Sequence, residues 1–188
     1  MGYEIRISGE GGQGVILAGI ILAEAAIEDG KNVVQSQAYG PESRGGVTKS
    51  EVIISEEEID YPKATKLDLL LALSLEACGR YRQDLKEGGI LLVEASRVPA
   101  VPGNCHLVHR LPFLATAQEA AGKALTANIV ALGALVGLSG AVSRRAIERA
   151  VAARAPKGTE EQNLKALAAG FELVEREKTA GAGSGSLP

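Results

Sequence analysis

The chain has 188 residues and a mass of 19.4 kDa, and its 20 basic and 23 acidic side chains leave a formal charge of −3. The length points to one domain of ordinary size, and 46% hydrophobic with 23% charged residues excludes a wholly disordered chain. Only two cysteines are present, Cys78 and Cys105, with no CxxC spacing; this excludes a four-cysteine cluster site, a zinc ribbon and a disulfide framework.

Both cysteines are therefore expected as small hydrophobes in a reducing cytosol. The basic residues are scattered and the chain has six aromatics, so neither a phosphate-neutralising patch nor a base-stacking platform exists, and no nucleic-acid partner is expected. Val15–Ala26 and Ala127–Leu138 are strongly apolar but fall short of the roughly 18 residues of a membrane span. They are expected as buried helices. The opening residues lack the basic-then-apolar layout of a signal peptide, so a cytoplasmic protein with no membrane partner is expected.

Tyr3–Ser8 alternates apolar and polar residues and predicts a first strand. Gly9-Glu-Gly-Gly-Gln-Gly14 follows, then an apolar helix from Val15 to Glu28 stopped by Gly30. Asn32–Gln37 predicts a second strand, so the chain opens on a Rossmann-like βαβ unit with a right-handed crossover to a parallel neighbour as the default. Ala38–Gly46 is a loop, and Lys49–Ser55 a third strand. Its short connection favours antiparallel pairing with the second, which leaves a mixed sheet open. Leu67–Leu73 predicts a strand covered on both faces. A helix over Leu75–Leu85, a turn at Gly88-Gly89, and strands over Ile90–Glu94 and His106–Leu111 follow. From Leu114 onward the chain is predicted helical. Thr159-Glu-Glu-Gln162 has the form of a capping box, and Leu164, Leu167, Ala168, Phe171 and Val174 make the buried stripe of the last helix. The expected architecture is a three-layer α/β/α domain over residues 1–178, its sheet mostly parallel and its C-terminal part helical, with a flexible Gly/Ser-rich tail over 179–188.

Two loops carry the functional signal. Gly9–Gly14 fits G-x-G-x-x-G between strand and helix, where glycines permit a tight turn and the helix N-terminus offers free N–H groups to an anion. A dinucleotide site also wants an acid at the end of the second strand, and that end reads Gln35-Ser36-Gln37. A phosphate-bearing ligand and a ligand-free turn both remain open. Tyr39–Gly46 leaves the carboxyl end of the second strand, on the edge where open α/β sheets bind ligands. Arg44, flanked by Gly45 and Gly46, can clamp a phosphate or carboxylate, or can pair with Glu42 and merely fix its loop. No serine- or cysteine-based catalytic spacing stands out. His106 and His109 fall on opposite faces of their strand and cannot share a metal there. Asn128 and Lys157 stand at element ends, where such residues ordinarily cap.

Taken together, Gly-Glu-Gly-Gly-Gln-Gly-Val15, Gln37-Ala-Tyr-Gly-Pro-Glu-Ser-Arg-Gly-Gly46 and Ser50–Ser55 closely resemble the gamma subunit of 2-oxoacid:ferredoxin oxidoreductases. Ala127-Asn-Ile-Val-Ala-Leu-Gly133 and Lys157-Gly…Asn163-Leu…Gly170 are similar to that family too, and the resemblance runs from Met1 to Glu175. It is closest to the 2-oxoglutarate enzymes of the family, and the beta subunit of indolepyruvate ferredoxin oxidoreductase shares the domain. The resemblance implies a complex that decarboxylates a 2-oxoacid on thiamine diphosphate and magnesium, passes electrons through iron–sulfur clusters to ferredoxin, and transfers the acyl group to coenzyme A. It places those cofactors on alpha-, beta- and delta-type partners and none on this chain alone. The gamma domain is expected to cover the coenzyme A cleft, with Gly11, Gly12, Gln13 and Gly14 facing the phosphates, Arg44 nearby, and no catalytic or metal-binding residue of its own. A stand-alone nucleotide- or flavin-binding protein and a purely structural scaffold are the competing readings.

Overall fold

The computed structural model describes residues 2–38, 46–101 and 107–183; Arg44, Glu42, Cys105 and His106 lie outside them. Six strands form one sheet: β1 (Tyr3–Glu10), β2 (Asn32–Ala38), β3 (Val47–Ser55), β4 (Leu67–Ala72), β5 (Leu85–Glu94) and β6 (Leu107–Leu111), in spatial order β2-β3-β1-β4-β5-β6. The pairings β1–β4, β4–β5 and β5–β6 are parallel, while β3 runs antiparallel to both β1 and β2. The helices are α1 (Val15–Glu28), α2 (Leu75–Tyr81), α3 (Phe113–Ala121), α4 (Ala127–Ser139), α5 (Arg144–Arg154) and α6 (Glu160–Gly183).

The α/β class and the mixed sheet agree with the sequence. The default crossover does not, because β3 is inserted between β1 and the strand expected beside it. Burial explains the order. Val52, Ile53 and Ile54 leave β3 apolar on both faces, which requires an interior position, whereas Val33-Val34-Gln35-Ser36 of β2 is only half-buried and suits an edge.

A second departure lies in β5. The helix expected over Leu75–Leu85 ends at Tyr81, and a 3-10 turn at Arg82–Asp84 leads straight into the strand. The Gly88-Gly89 turn falls within that strand. Leu67 pairs with Leu85 and Leu69 with Ile90, so residues 86–89 bulge, with Gly88 at φ 76°.

Ile5 and Ile7 of β1, Leu69 and Leu71 of β4 and Leu92 of β5 pack beneath α1 and α4, with α3, α5 and α6 completing the same core. The opposite face is covered by α2, through Ala77 and the buried Cys78 against Leu70, Leu91 and Val93. Ser74 caps α2 by accepting from Ala77 N–H (3.2 Å), and Ser143 caps α5 by accepting from Ala146 N–H (3.1 Å).

At α6 the expected capping box is replaced. The Thr159 N–H and hydroxyl both donate to the Pro156 carbonyl (2.9 and 2.7 Å), and Asn163, not Gln162, bonds back to Thr159. The helix continues to Gly183, so residues 179–183 of the expected tail are helical. Ala166, Leu167, Gly170 and Val174 form its most buried stripe. Among the described residues no helix is long and apolar enough to cross a membrane.

Candidate functional site

β1 and β2 run in the same direction, so their carboxyl ends share one edge of the sheet, and β4 and β5 add theirs to it. The glycine loop leaves β1 there. Gly12 (φ 87°) and Gly14 (φ 72°) adopt left-handed backbone, which turns the chain from strand into α1. Gly14 carries a further constraint, since a Cβ on it would stand 2.3 Å from Asn128 Nδ2. Asn128, 7% exposed in the first turn of α4, donates from that nitrogen to the Gly14 carbonyl at 3.4 Å.

Gln13 is held by two hydrogen bonds of its side chain. Its Oε1 accepts from Glu10 N–H (2.7 Å) and its Nε2 donates to the Leu73 carbonyl (3.3 Å), tying the loop to itself and to the end of β4. The side chain thus braces the loop, and it also lines the cavity beside it. Gly11 is exposed, with nothing within 4 Å of where its Cβ would be. Ala38 and Gly46, which flank the segment holding Arg44, belong to the same edge, where Glu10 pairs with Val47.

Two cavities flank the loop and share Gly12, Leu125 and Asn128. The larger, about 290 Å³, is lined by the first turns of three helices: Gly14 and Leu17 at α1, Thr126 and Ile129 at α4, and Gln162 and Asn163 at α6. α1 has no side-chain cap, so its leading N–H groups are left for a ligand or solvent, whereas α4 continues from a 3-10 turn whose Ala124 carbonyl accepts the Ala127 N–H. Glu160 and Glu161, on the exposed side of α6, do not line it, and Lys123 stands at its rim. The smaller cavity, about 170 Å³, has walls of Leu73, Phe113, Leu114 and Leu125, with Glu94 and Arg97 contributed from the end of β5.

The sequence reading did not single out Glu94, Arg97, Lys123 or Leu125. An available signal was the Glu94-Ala-Ser-Arg97 run at the carboxyl end of a predicted parallel strand, the same edge as the glycine loop. His109 is elsewhere, its Nδ1 within 2.5 Å of Glu177 Oε2. Lys157 is exposed in the turn before α6. Among the described residues no group of three or more His, Cys, Asp and Glu side chains is placed to hold a metal ion.

This is an α/β domain that gathers a glycine loop and the first turns of three helices at one edge of its sheet. Residues 4–173 match the model of one family, described as pyruvate ferredoxin/flavodoxin oxidoreductase. The chain belongs to that family, and it is of the gamma-subunit type of these oxidoreductases. It is 48% identical over 178 residues to the 2-oxoglutarate synthase subunit KorC of Methanocaldococcus jannaschii, covering 93% of this chain and 95% of that one. The crystal structure of a keto/oxoacid ferredoxin oxidoreductase gamma subunit from Geobacter sulfurreducens PCA superposes with a TM-score of 0.86 at 51% identity, covering 94% and 98% of the two chains. The 2-oxoglutarate:ferredoxin oxidoreductase of Magnetococcus marinus shares the fold (TM-score 0.79, 24% identity), with 93% of this chain matching 31% of that one.

Proposed function

We propose that this chain is the gamma subunit of a 2-oxoglutarate:ferredoxin oxidoreductase and that its glycine-loop edge covers the coenzyme A cleft of the assembled enzyme. The observation that carries the coenzyme A assignment is the convergence of three helix N-terminal turns and Lys123 on one cavity beside the loop. Helix N-termini and cations favour phosphate, and coenzyme A is the phosphate-bearing reactant of this chemistry. The choice of 2-oxoglutarate rests on the 48% identity to 2-oxoglutarate synthase subunits.

In this reading a 2-oxoacid loses carbon dioxide, its two-electron oxidation reduces ferredoxin, and the acyl group bonds to the coenzyme A sulfur as the thiol proton leaves. Thiamine diphosphate, magnesium and iron–sulfur clusters supply the decarboxylation and electron transfer from the alpha-, beta- and delta-type partners. The chain's own work is to bind. The uncapped N–H groups of α1 receive phosphate oxygens, Lys123 and Arg97 add charge at the two cavities, and Gln13 braces the loop. Arg44 is proposed as a further cation for the same ligand. Co-expression with the partner subunits should give coenzyme A-dependent reduction of a low-potential acceptor by 2-oxoglutarate. A complex that works equally well without this chain would refute the assignment.

A further inference from the structure

The two edges of the sheet are defended differently. β6 is five residues long and carries His109 and Arg110, whereas β2 runs for seven residues with no charge, no proline and an unbroken register on β3. Folded proteins ordinarily blunt such an edge, so an unblunted one marks a place for another strand. Its free side follows from the ladder. The Ser8 carbonyl accepts Leu73 N–H on the β4 side, so Ile5 and Ile7, alternating with it, turn their backbone groups to β3. The same alternation turns Lys49, Glu51 and Ile53 of β3 toward Ala38, Ser36 and Val34 of β2. Val33, Gln35 and Gln37 are left with N–H and C=O pointing outward, and among the described residues no strand lies beyond them. α1 adds a second layer on this side. It lies against β3, where a Cβ on Gly19 would meet Ser50, and its acidic Glu24 and Glu28 pair with Arg154 and Arg149 of α5. The flank turned from α5, on the side of the β2 edge, is apolar throughout: Ile16, Ile20, Ala23 and Ile27 follow one another at helical spacing, with Ile27 62% exposed.

We infer that this strip joins two copies of the chain, β2 against β2 about a two-fold axis through Gln35. The outward residues are spaced evenly about Gln35. Antiparallel pairing therefore sets Gln35 against its own mate and Val33 against Gln37, each pair exchanging both backbone bonds. No charge meets its like, because β2 has none and Lys31 of each copy goes to the opposite end of the strip. Val33 and Gln35 lie on the α1 face, Val33 in the core and Gln35 on Ser50, so the isoleucine flanks also face each other across the axis. Strand and helix make a strip about 23 Å long and about 20 Å high, so two copies hide on the order of 1,000 Å², enough for a specific interface. A two-fold contact requires this self-complementarity, and a partner of different sequence does not.

The test joins the mass of the isolated full chain to cross-linking of a Gln35→Cys variant. At micromolar concentration the chain should sediment at twice 19.4 kDa. Gln35→Cys should give a disulfide-linked pair on mild oxidation, since directly paired Cα atoms lie about 5.5 Å apart, within disulfide reach. Asn32→Cys, which faces Ala38 rather than itself, should not. Gln37→Pro loses only an outward N–H, so its melting temperature should hold while the dimer weakens about tenfold or more. A monomeric wild type would overturn the inference, as would a dimer that Gln37→Pro leaves intact. Should Gln37→Pro fail to fold, Ile27→Lys sets a charge in the apolar flank at an exposed position and should weaken the dimer instead; an unchanged dimer refutes the interface equally. If Gln35→Cys in the assembled complex links to a partner subunit and not to its own copy, the edge belongs to that subunit and the inference falls.

Discussion

Gly11 and Gly14 belong to one loop but answer to different constraints. Gly14 is fixed by its left-handed backbone and by Asn128, 2.3 Å from where a Cβ would lie. Gly11 has ordinary backbone and open space around it, so folding does not require glycine there. Gly11→Ala should leave thermal stability unchanged or raise it slightly, by about 0.4–1 kcal/mol through the unfolded chain. If the loop backs a phosphate, the added methyl blocks close approach, and the KM for coenzyme A should rise about tenfold, the cost of one charge-assisted contact at roughly 1.5 kcal/mol. An unchanged coenzyme A response in a stable Gly11→Ala complex would remove the loop from the site. Arg97→Ala tests the same edge from a side chain, and Arg44→Ala tests the role proposed for Arg44. Each should raise the KM for coenzyme A with little change in the acceptor-reducing kcat, and a variant with an unchanged KM leaves its arginine without a role there.

At the scale of elements, the decisive contact joins α4 and α6. A Cβ on Gly133 would meet the Leu167 carbonyl at 2.2 Å, and one on Gly170 would meet the Val130 carbonyl at 2.0 Å. The two helices therefore cross backbone to backbone, and that crossing brings the first turn of α6 against the cavity. Gly170→Ala adds helix propensity but forces the helices apart, and overpacking of this kind costs about 1–3 kcal/mol. Thermal melting should show a loss of several degrees; a rise would mean that the crossing is looser than described. Both glycines were visible in the sequence within motifs shared with the family, but their partner was not, since residues 133 and 170 are close only in the fold. The same distinction runs through the rest. The span of α1 was legible because its apolar run is bounded by glycines at both ends. The interior place of β3 and the bulge at 86–89 were not, because they depend on which strand needs two covered faces. Gly12 and Gly14 were found from their spacing. Glu94, Arg97 and Lys123 were missed because the edge that gathers them is assembled from β5 and the α3–α4 connection.

Across the whole molecule, the half of the sheet carrying the antiparallel strands is tied together by charge. Arg6 of β1, 4% exposed, donates from Nε to Glu51 Oε1 of β3 (2.8 Å), bonds Asp84 and the Ala64 carbonyl, and lies 4.7 Å from the centre of the Tyr81 ring. Lys49 Nζ and the Ser36 hydroxyl also donate to Glu51, at 2.9 and 3.3 Å, so one carboxylate joins β1, β2 and β3. Burial alone raises the Glu51 pKa, but hydrogen bonds from Lys49 and Arg6 and their charges outweigh it and hold the group below the ordinary glutamate value of 4.5. A carboxylate depressed by folding contributes stability above its unfolded pKa and loses it as pH falls through the folded value. The contribution of Glu51 is therefore complete at about pH 7 and fades below about pH 4.5. Asp29, also lowered, with burial opposing and Ser143 hydrogen bonds prevailing, fades in the same acid range, so the Glu51 share must be read as a difference. Glu51→Gln should melt well below the wild type at about pH 7, and the gap should narrow as the wild-type carboxylate protonates toward about pH 3. A gap that stays constant over that range would mean that Glu51 keeps its ordinary pKa in the fold, and that the three strands are held by packing rather than by the charge they share.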